Sequence, residues 1–168
     1  MSNLNVYNQG IGFARPNDLH QCIIGNIISS VKPECRKSGL WCAPESTITK
    51  DVNDVYPDVT IFDRTHNPLV IFELTHNSGM WYDRRKCVNI MKRYNGVECF
   101  ILNYEREVIY FFDYETNVWV NSNDYKLYSS YLKNPIEYYF CDDPEEILNL
   151  YGEYNIKQIL PELKKKYL

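Results

Sequence analysis

A chain of 168 residues with a formal charge of −4 can bury a sizeable core, but it is too acidic to grip nucleic acid over its whole surface, so any such contact must be local. Its 45% hydrophobic and 24% charged residues are ordinary for a globular protein, and no run approaches the ~18 apolar residues that a bilayer crossing needs. Aromatic residues reach 15%, with fifteen tyrosines, which favours strands over a helical bundle.

Met1–Gly10 is polar and carries no signal-peptide run. Pro16-Asn17-Asp18 opens a first helix, since Asn and Asp cap well and Pro suits a helix start. Leu19, Ile23, Ile24, Ile27, Ile28 and Val31 recur at helical spacing and give it one core-facing stripe, and Pro33 ends it. Ser38–Thr49 reads as a strand broken by Pro44, and Asp51–Asp54 as a polar turn. Tyr56–Phe62 and Leu69–Thr75 are two strands joined by the turn Arg64–Pro68, forming a hairpin. The unbroken apolar run Leu69-Val70-Ile71-Phe72 belongs to a central strand.

His76-Asn77-Ser78-Gly79 leads into a helix from Met80 to Arg93, and Val97–Asn103 is a further buried strand. A strand, helix, strand crossover of this length predicts parallel pairing of Leu69–Thr75 with Val97–Asn103. Glu107–Tyr114 and Asn117–Asn121 form an antiparallel meander, and helices follow at Pro144–Tyr151 and Ile156–Lys166. The order predicts an α/β fold: a mixed β-sheet core (αβββαβ) flanked by helices, with an appended β-hairpin and C-terminal helices. A single domain is expected over 1–168, its core at about 16–114 and a C-terminal extension at 115–168. Six cysteines show neither a C-x-x-C pair nor zinc-ligand spacing, which fits reduced thiols in a cytoplasmic protein.

The chemistry concentrates on Asp58 and Glu73. An ion such as Mg²⁺ or Mn²⁺ takes hard oxygen ligands, one or two carboxylates with waters and a substrate phosphate. Asp58 begins one strand of the hairpin and Glu73 lies near the end of the next, so an antiparallel pair turned at 64–68 brings them together. Glu73 interrupts the apolar string L-V-I-F-E-L-T, where a buried charge is costly unless paired or metal-bound. The bland alternative has Glu73 pointing into water. Arg84, Arg85, Lys86, Lys92 and Arg93 place five cations within ten positions on the following helix, a local patch for nucleic acid or else a solvated face.

The ordered set Y-P-D-V-T-I-F-D and F-E-L-T resembles the PD-(D/E)xK pattern of the restriction-endonuclease-like superfamily. More narrowly, the chain resembles the Uma-type family of small bacterial proteins described as restriction endonucleases. The matching pieces are H-Q-C-I-I-G at 20–25, P-D-V at 57–59, F-E-L at 72–74, T-H-N-S-G at 75–79, Asp83 with Lys86, and G-V-E-C-F-I-L at 96–102. They run in order over about residues 18–114.

The resemblance implies a metal-dependent endonuclease hydrolysing DNA phosphodiesters, with Asp58, Glu73 and the Leu74 backbone carbonyl holding Mg²⁺ or Mn²⁺. The motif lysine is replaced here by Thr75, which has no charge to offer. Lys86 is the matching candidate from the next helix, and Lys92 is a second. His20 matches a family position with an accessory role, and Arg84, Arg85 and Arg93 would contact nucleic acid. Without its motif lysine the chain could instead be a catalytically inactive nuclease-fold protein that binds nucleic acid or a partner protein. Cutting both strands would call for a homodimer, with Tyr128, Tyr131, Tyr138 and Tyr139 either forming its interface or packing in the core.

Overall fold

The computed structural model describes residues 14–48 and 56–167, with side chains described from Asp18 onward. The first helix, α1 (Ala14–Ser38), buries Leu19, Ile23, Ile24, Ile27 and Val31 on the stripe that their spacing predicts. It runs through Pro33, beyond the end expected there. Pro33 and Ser29 lie on the exposed side, so water can serve the Ser29 carbonyl that has no amide partner. The helix instead closes at Gly39, with φ of 71°, where the Leu40 amide donates to the Cys35 carbonyl at 2.8 Å.

The next strand is shorter than expected: β1 covers Trp41–Pro44. Ser38 still belongs to the last turn of α1, and Glu45 turns the chain with φ of 45°. Thr49 and the expected turn at Asp51–Asp54 lie outside the described residues. β2 covers Val59–Phe62 rather than starting at Tyr56, since Pro57 has no amide to extend the ladder. β3 (Pro68–Thr75) returns antiparallel through a turn organised by Asp63, whose carboxylate accepts from the amides of Thr65 and Asn67.

A one-turn 3₁₀ segment, Asn77–Gly79, leads into α2 (Met80–Arg93), then β4 (Glu98–Asn103), β5 (Val108–Asp113) and β6 (Val118–Asn121). The strands lie in chain order β1-β2-β3-β4-β5-β6, antiparallel throughout except for the predicted parallel pair β3–β4. A second 3₁₀ segment at Ile136–Phe140, absent from the sequence reading, precedes α3 (Pro144–Tyr151) and α4 (Ile156–Tyr167).

Alternation along the strands builds two layers. On one face Val59, Ile61, Phe72 and Phe100 meet α1, α4 and the Ile136–Phe140 segment. On the other Phe62, Ile71, Cys99 and Ile101 meet Met80, Cys87 and Ile90 of α2. The C-terminal pieces therefore complete the larger core: Tyr139 and Phe140 are fully buried, and Tyr139 donates to Glu34 of α1 at 2.6 Å. Of the four tyrosines singled out from the sequence, Tyr128 and Tyr131 remain exposed. All six cysteines are free thiols, and among the described residues no helix is long and apolar enough to cross a membrane.

Candidate active site

Continuing the β2–β3 register one step beyond Val59↔Phe72 sets Asp58 opposite Glu73. Strand alternation turns Glu73 toward the α2 layer, where it is only 2% exposed. Asp58, 15% exposed, sits just before β2, and its Oδ2 accepts from the Leu74 amide at 2.7 Å. A β residue turns its N–H and C=O to the same strand edge, so the Leu74 carbonyl faces this edge as well.

The other oxygen of Asp58 meets His20 of α1, Nε2 to Oδ1 at 3.1 Å, and His20 Nδ1 lies 3.0 Å from the Tyr104 hydroxyl. An ionised carboxylate only accepts, so Nε2–H must donate to Asp58; in the neutral ring Nδ1 then accepts from Tyr104. Burial pushes the Asp58 carboxyl up, yet the His20 contact, the Leu74 amide and the Lys86 charge outweigh it and hold its pKa below the usual value. Tyr104 is buried beside that carboxylate, and both effects push its hydroxyl pKa far up, keeping it a donor.

Glu73 behaves differently. Burial raises its pKa well above the ordinary carboxylate value, the Lys86 charge opposes this, and the Asp58 charge adds to it. Lys86 Nζ of α2 lies 2.8 Å from Glu73 Oε1, and 3.5 Å from Asp83 Oδ1. Burial would lower the Lys86 pKa, but these carboxylates raise it, so the ammonium stays charged. The Lys86 ammonium is thus the partner of the buried Glu73 carboxylate. Glu98, on the adjacent strand, shows the contrast: its carboxylate receives the hydroxyls of Ser129 and Ser130 and the Ser130 amide. Both are buried strand glutamates: Glu98 is met by hydroxyls and an amide, Glu73 by the Lys86 ammonium.

Thr75, in the motif-lysine position, is buried, and its hydroxyl donates to the His76 carbonyl at 3.2 Å. Gly79 lies directly against it: a Cβ on Gly79 would come within 2.7 Å of Thr75 Oγ1. The loop into α2 is tied to β4 by Asn103, which donates to Asn77 at 2.9 Å, and by Glu105, which accepts from Asn77 at 2.8 Å. These contacts fix the start of α2, and so the height at which Lys86 emerges.

Lys92 is exposed, six residues and about 9 Å farther along α2, so Lys86 is the lysine at the carboxylates. Arg84 is half-buried and packs on β5 and β6, its guanidinium 4.8 Å from the Tyr110 ring centre and 5.6 Å from that of Trp119. Arg85 is exposed and lies 5.2 Å from the Trp81 ring centre, while Arg93 is exposed in the last turn of α2. The sequence reading passed over Tyr104. Its position, next after the end of β4 and so beside the C-terminal end of parallel β3, was the available signal, because sites gather at such strand ends.

A crystal structure of a candidate nuclease belonging to DUF820, from Anabaena variabilis, matches this fold with a TM-score of 0.58 over 73% of this chain and 80% of that one, at 11% identity. The chain shares that structure's fold. Its mixed six-stranded sheet flanked by helices places Asp58 and Glu73 side by side at the C-terminal end of β3, with Lys86 above them. A cryo-EM structure of a DrdV–DNA complex aligns with a TM-score of 0.38 and 16% identity over 80% of this chain and 15% of that one, too remote to argue from. No family model and no curated protein matches the sequence.

The groups gathered at this end of β3 are two carboxylates and a backbone carbonyl. Among the described residues no group of three or more His, Cys, Asp or Glu side chains could hold a metal ion. Two carboxylates suit a hard cation that keeps several waters.

Proposed function

We propose that this protein is a divalent-metal-dependent endonuclease that hydrolyses phosphodiester bonds of DNA, with Asp58, Glu73 and the Leu74 carbonyl holding Mg²⁺ or Mn²⁺. The observation that carries the reading is Lys86 Nζ at 2.8 Å from the buried Glu73, which returns to the carboxylate pair the cation that Thr75 lacks. The order of the sequence motifs supports the narrower Uma-type grouping.

With a divalent ion bound, the chemistry supplied is charge neutralisation at the phosphate and activation of a water. The protein's own groups do the rest. Asp58 is kept ionised and its carboxylate plane is fixed by the Leu74 amide and by His20, which Tyr104 orients in turn. Lys86 brings a fixed ammonium to the edge of the site, where it can stabilise negative charge growing on the phosphate oxygens. Asp83, 3.5 Å away, gives Lys86 a second acceptor, so the ammonium stays in place when Glu73 turns to other partners.

The test is cleavage of plasmid and single-stranded DNA with Mn²⁺ by the wild type, Asp58→Ala, Glu73→Gln and Lys86→Met, with Lys92→Met as control. Loss in the first three variants and retention in the control support the assignment. Equal cleavage by wild type and Asp58→Ala overturns it. Calorimetry separates the alternative: a folded protein with no affinity for Mn²⁺ and no cleavage is a nuclease-fold binding module.

A further inference from the structure

α2 exposes two large aromatic side chains in its first turn. Trp81 is 68% exposed and Tyr82 is 64% exposed, although both could have been covered by the sheet had they fallen on the Met80–Cys87 face. Each sits against a cation: the Arg85 guanidinium is 5.2 Å from the Trp81 ring centre, and Lys86 Nζ is 5.9 Å from that of Tyr82. Lys86 is also the residue 2.8 Å from Glu73, so the Tyr82 side of this turn lies toward the carboxylates through Lys86. With a net charge of −4, the chain has little general attraction for a phosphate backbone, and affinity must come from elsewhere.

We infer that the first turn of α2 is a stacking platform for unpaired bases, so that the preferred substrate is single-stranded nucleic acid or a strand with splayed-out nucleotides beside the scissile bond. Exposed aromatic faces interleaved with cations are what sequence-tolerant single-strand binders use: rings take successive bases, and cations follow the phosphates. A paired duplex hides its base faces in the stack and could use only the cations beside the rings. The inference rests on the nuclease reading for its position beside the scissile phosphate, whereas the platform itself is read out by binding alone.

Fluorescence anisotropy of a labelled 12-nucleotide oligo-dT and of its duplex with oligo-dA, with EDTA present so that nothing is cut, tests it. The wild type is expected to bind the single strand more tightly. Trp81→Ala and Tyr82→Ala should each weaken single-strand binding by about five- to hundredfold while leaving duplex binding nearly unchanged. Trp81→Phe should restore most of the affinity and Trp81→Leu should not, which separates stacking from simple apolar contact. Arg85→Ala should flatten the salt dependence, whereas Trp81→Ala should lower affinity by the same factor at 50 and 200 mM salt. Circular dichroism melting confirms that each exposed substitution leaves the fold intact. Equal single-strand affinity for wild type and Trp81→Ala, or no single-strand preference in the wild type, overturns the platform even if Mn²⁺-dependent cleavage is found. Conversely, stacking-dependent binding with no cleavage leaves the platform standing and removes the nuclease.

Discussion

Replacing Lys86 by Met leaves the Glu73 carboxylate 2% exposed with its nearest positive charge gone, and Asp58 still beside it. Breaking one partner out of a buried pair costs about 3–5 kcal/mol, so Lys86→Met should lose about 3 kcal/mol at pH 7. The loss depends on pH, and its sign can be worked out. The Glu73 pKa is already raised in the folded protein, and without Lys86 it rises further. The folded state then holds a proton that the unfolded chain has released, so stability falls as pH rises from about 4.3, the unfolded value, up to the folded pKa. The slope over that window is at most about 1.4 kcal/mol per pH unit. Urea unfolding of Lys86→Met should therefore show a much smaller deficit at pH 5 than at pH 7. Adding Glu73→Gln removes the stranded charge, and the double variant should recover most of the loss. A deficit of equal size at both pH values, or a double variant no more stable than Lys86→Met, would refute the placement of Lys86 as the counter-charge of a buried Glu73.

His20→Ala removes the group that orients Asp58, and should lower Mn²⁺ affinity by about 10- to 100-fold in calorimetry. Because the Asp58 pKa is depressed in the fold, its contribution to stability is present above about pH 3.9 and disappears as pH falls through the folded value; Asp58→Asn should flatten the acid limb of a pH series of urea curves. Saturating Mn²⁺ at a hundred times its Kd should stabilise the wild type by about 2.7 kcal/mol in thermal melts, and Glu73→Gln should show little of this gain. Gly79→Ala should destabilise by about 1–3 kcal/mol in urea, since its Cβ meets Thr75 Oγ1 at 2.7 Å while its φ of −92° suits any residue; Thr75→Ala in the same chain should relieve much of that cost.

Much of this arrangement could be read from the residues. The stripe Leu19–Val31, the apolar run ahead of Glu73 and the crossover between β3 and β4 follow from period and length alone, and they place Asp58 against Glu73. The termini of elements were harder. Pro33 reads as a stop, and only its solvent-facing position lets α1 continue to Gly39. Long-range side-chain pairing is the other gap: nothing in the string tells that Glu98 finds Ser129 and Ser130 while Glu73 finds Lys86, nor that Tyr104 closes on His20 across 84 residues. Arg84 and Arg85 are neighbours of equal charge, and only helix phase decides that one packs on Tyr110 and the other stays at the surface.

The division of the site between two layers has a thermodynamic consequence. The sheet carries both carboxylates, while the ammonium arrives on α2, held to that sheet through Met80, Cys87 and Ile90 and through the Asn77–Asn103 clasp. Opening α2 away from the sheet disassembles the triad without unfolding a strand. The fraction of molecules with an assembled site is thus set by the local undocking free energy of one fourteen-residue helix, a quantity that amide hydrogen exchange along α2 measures directly.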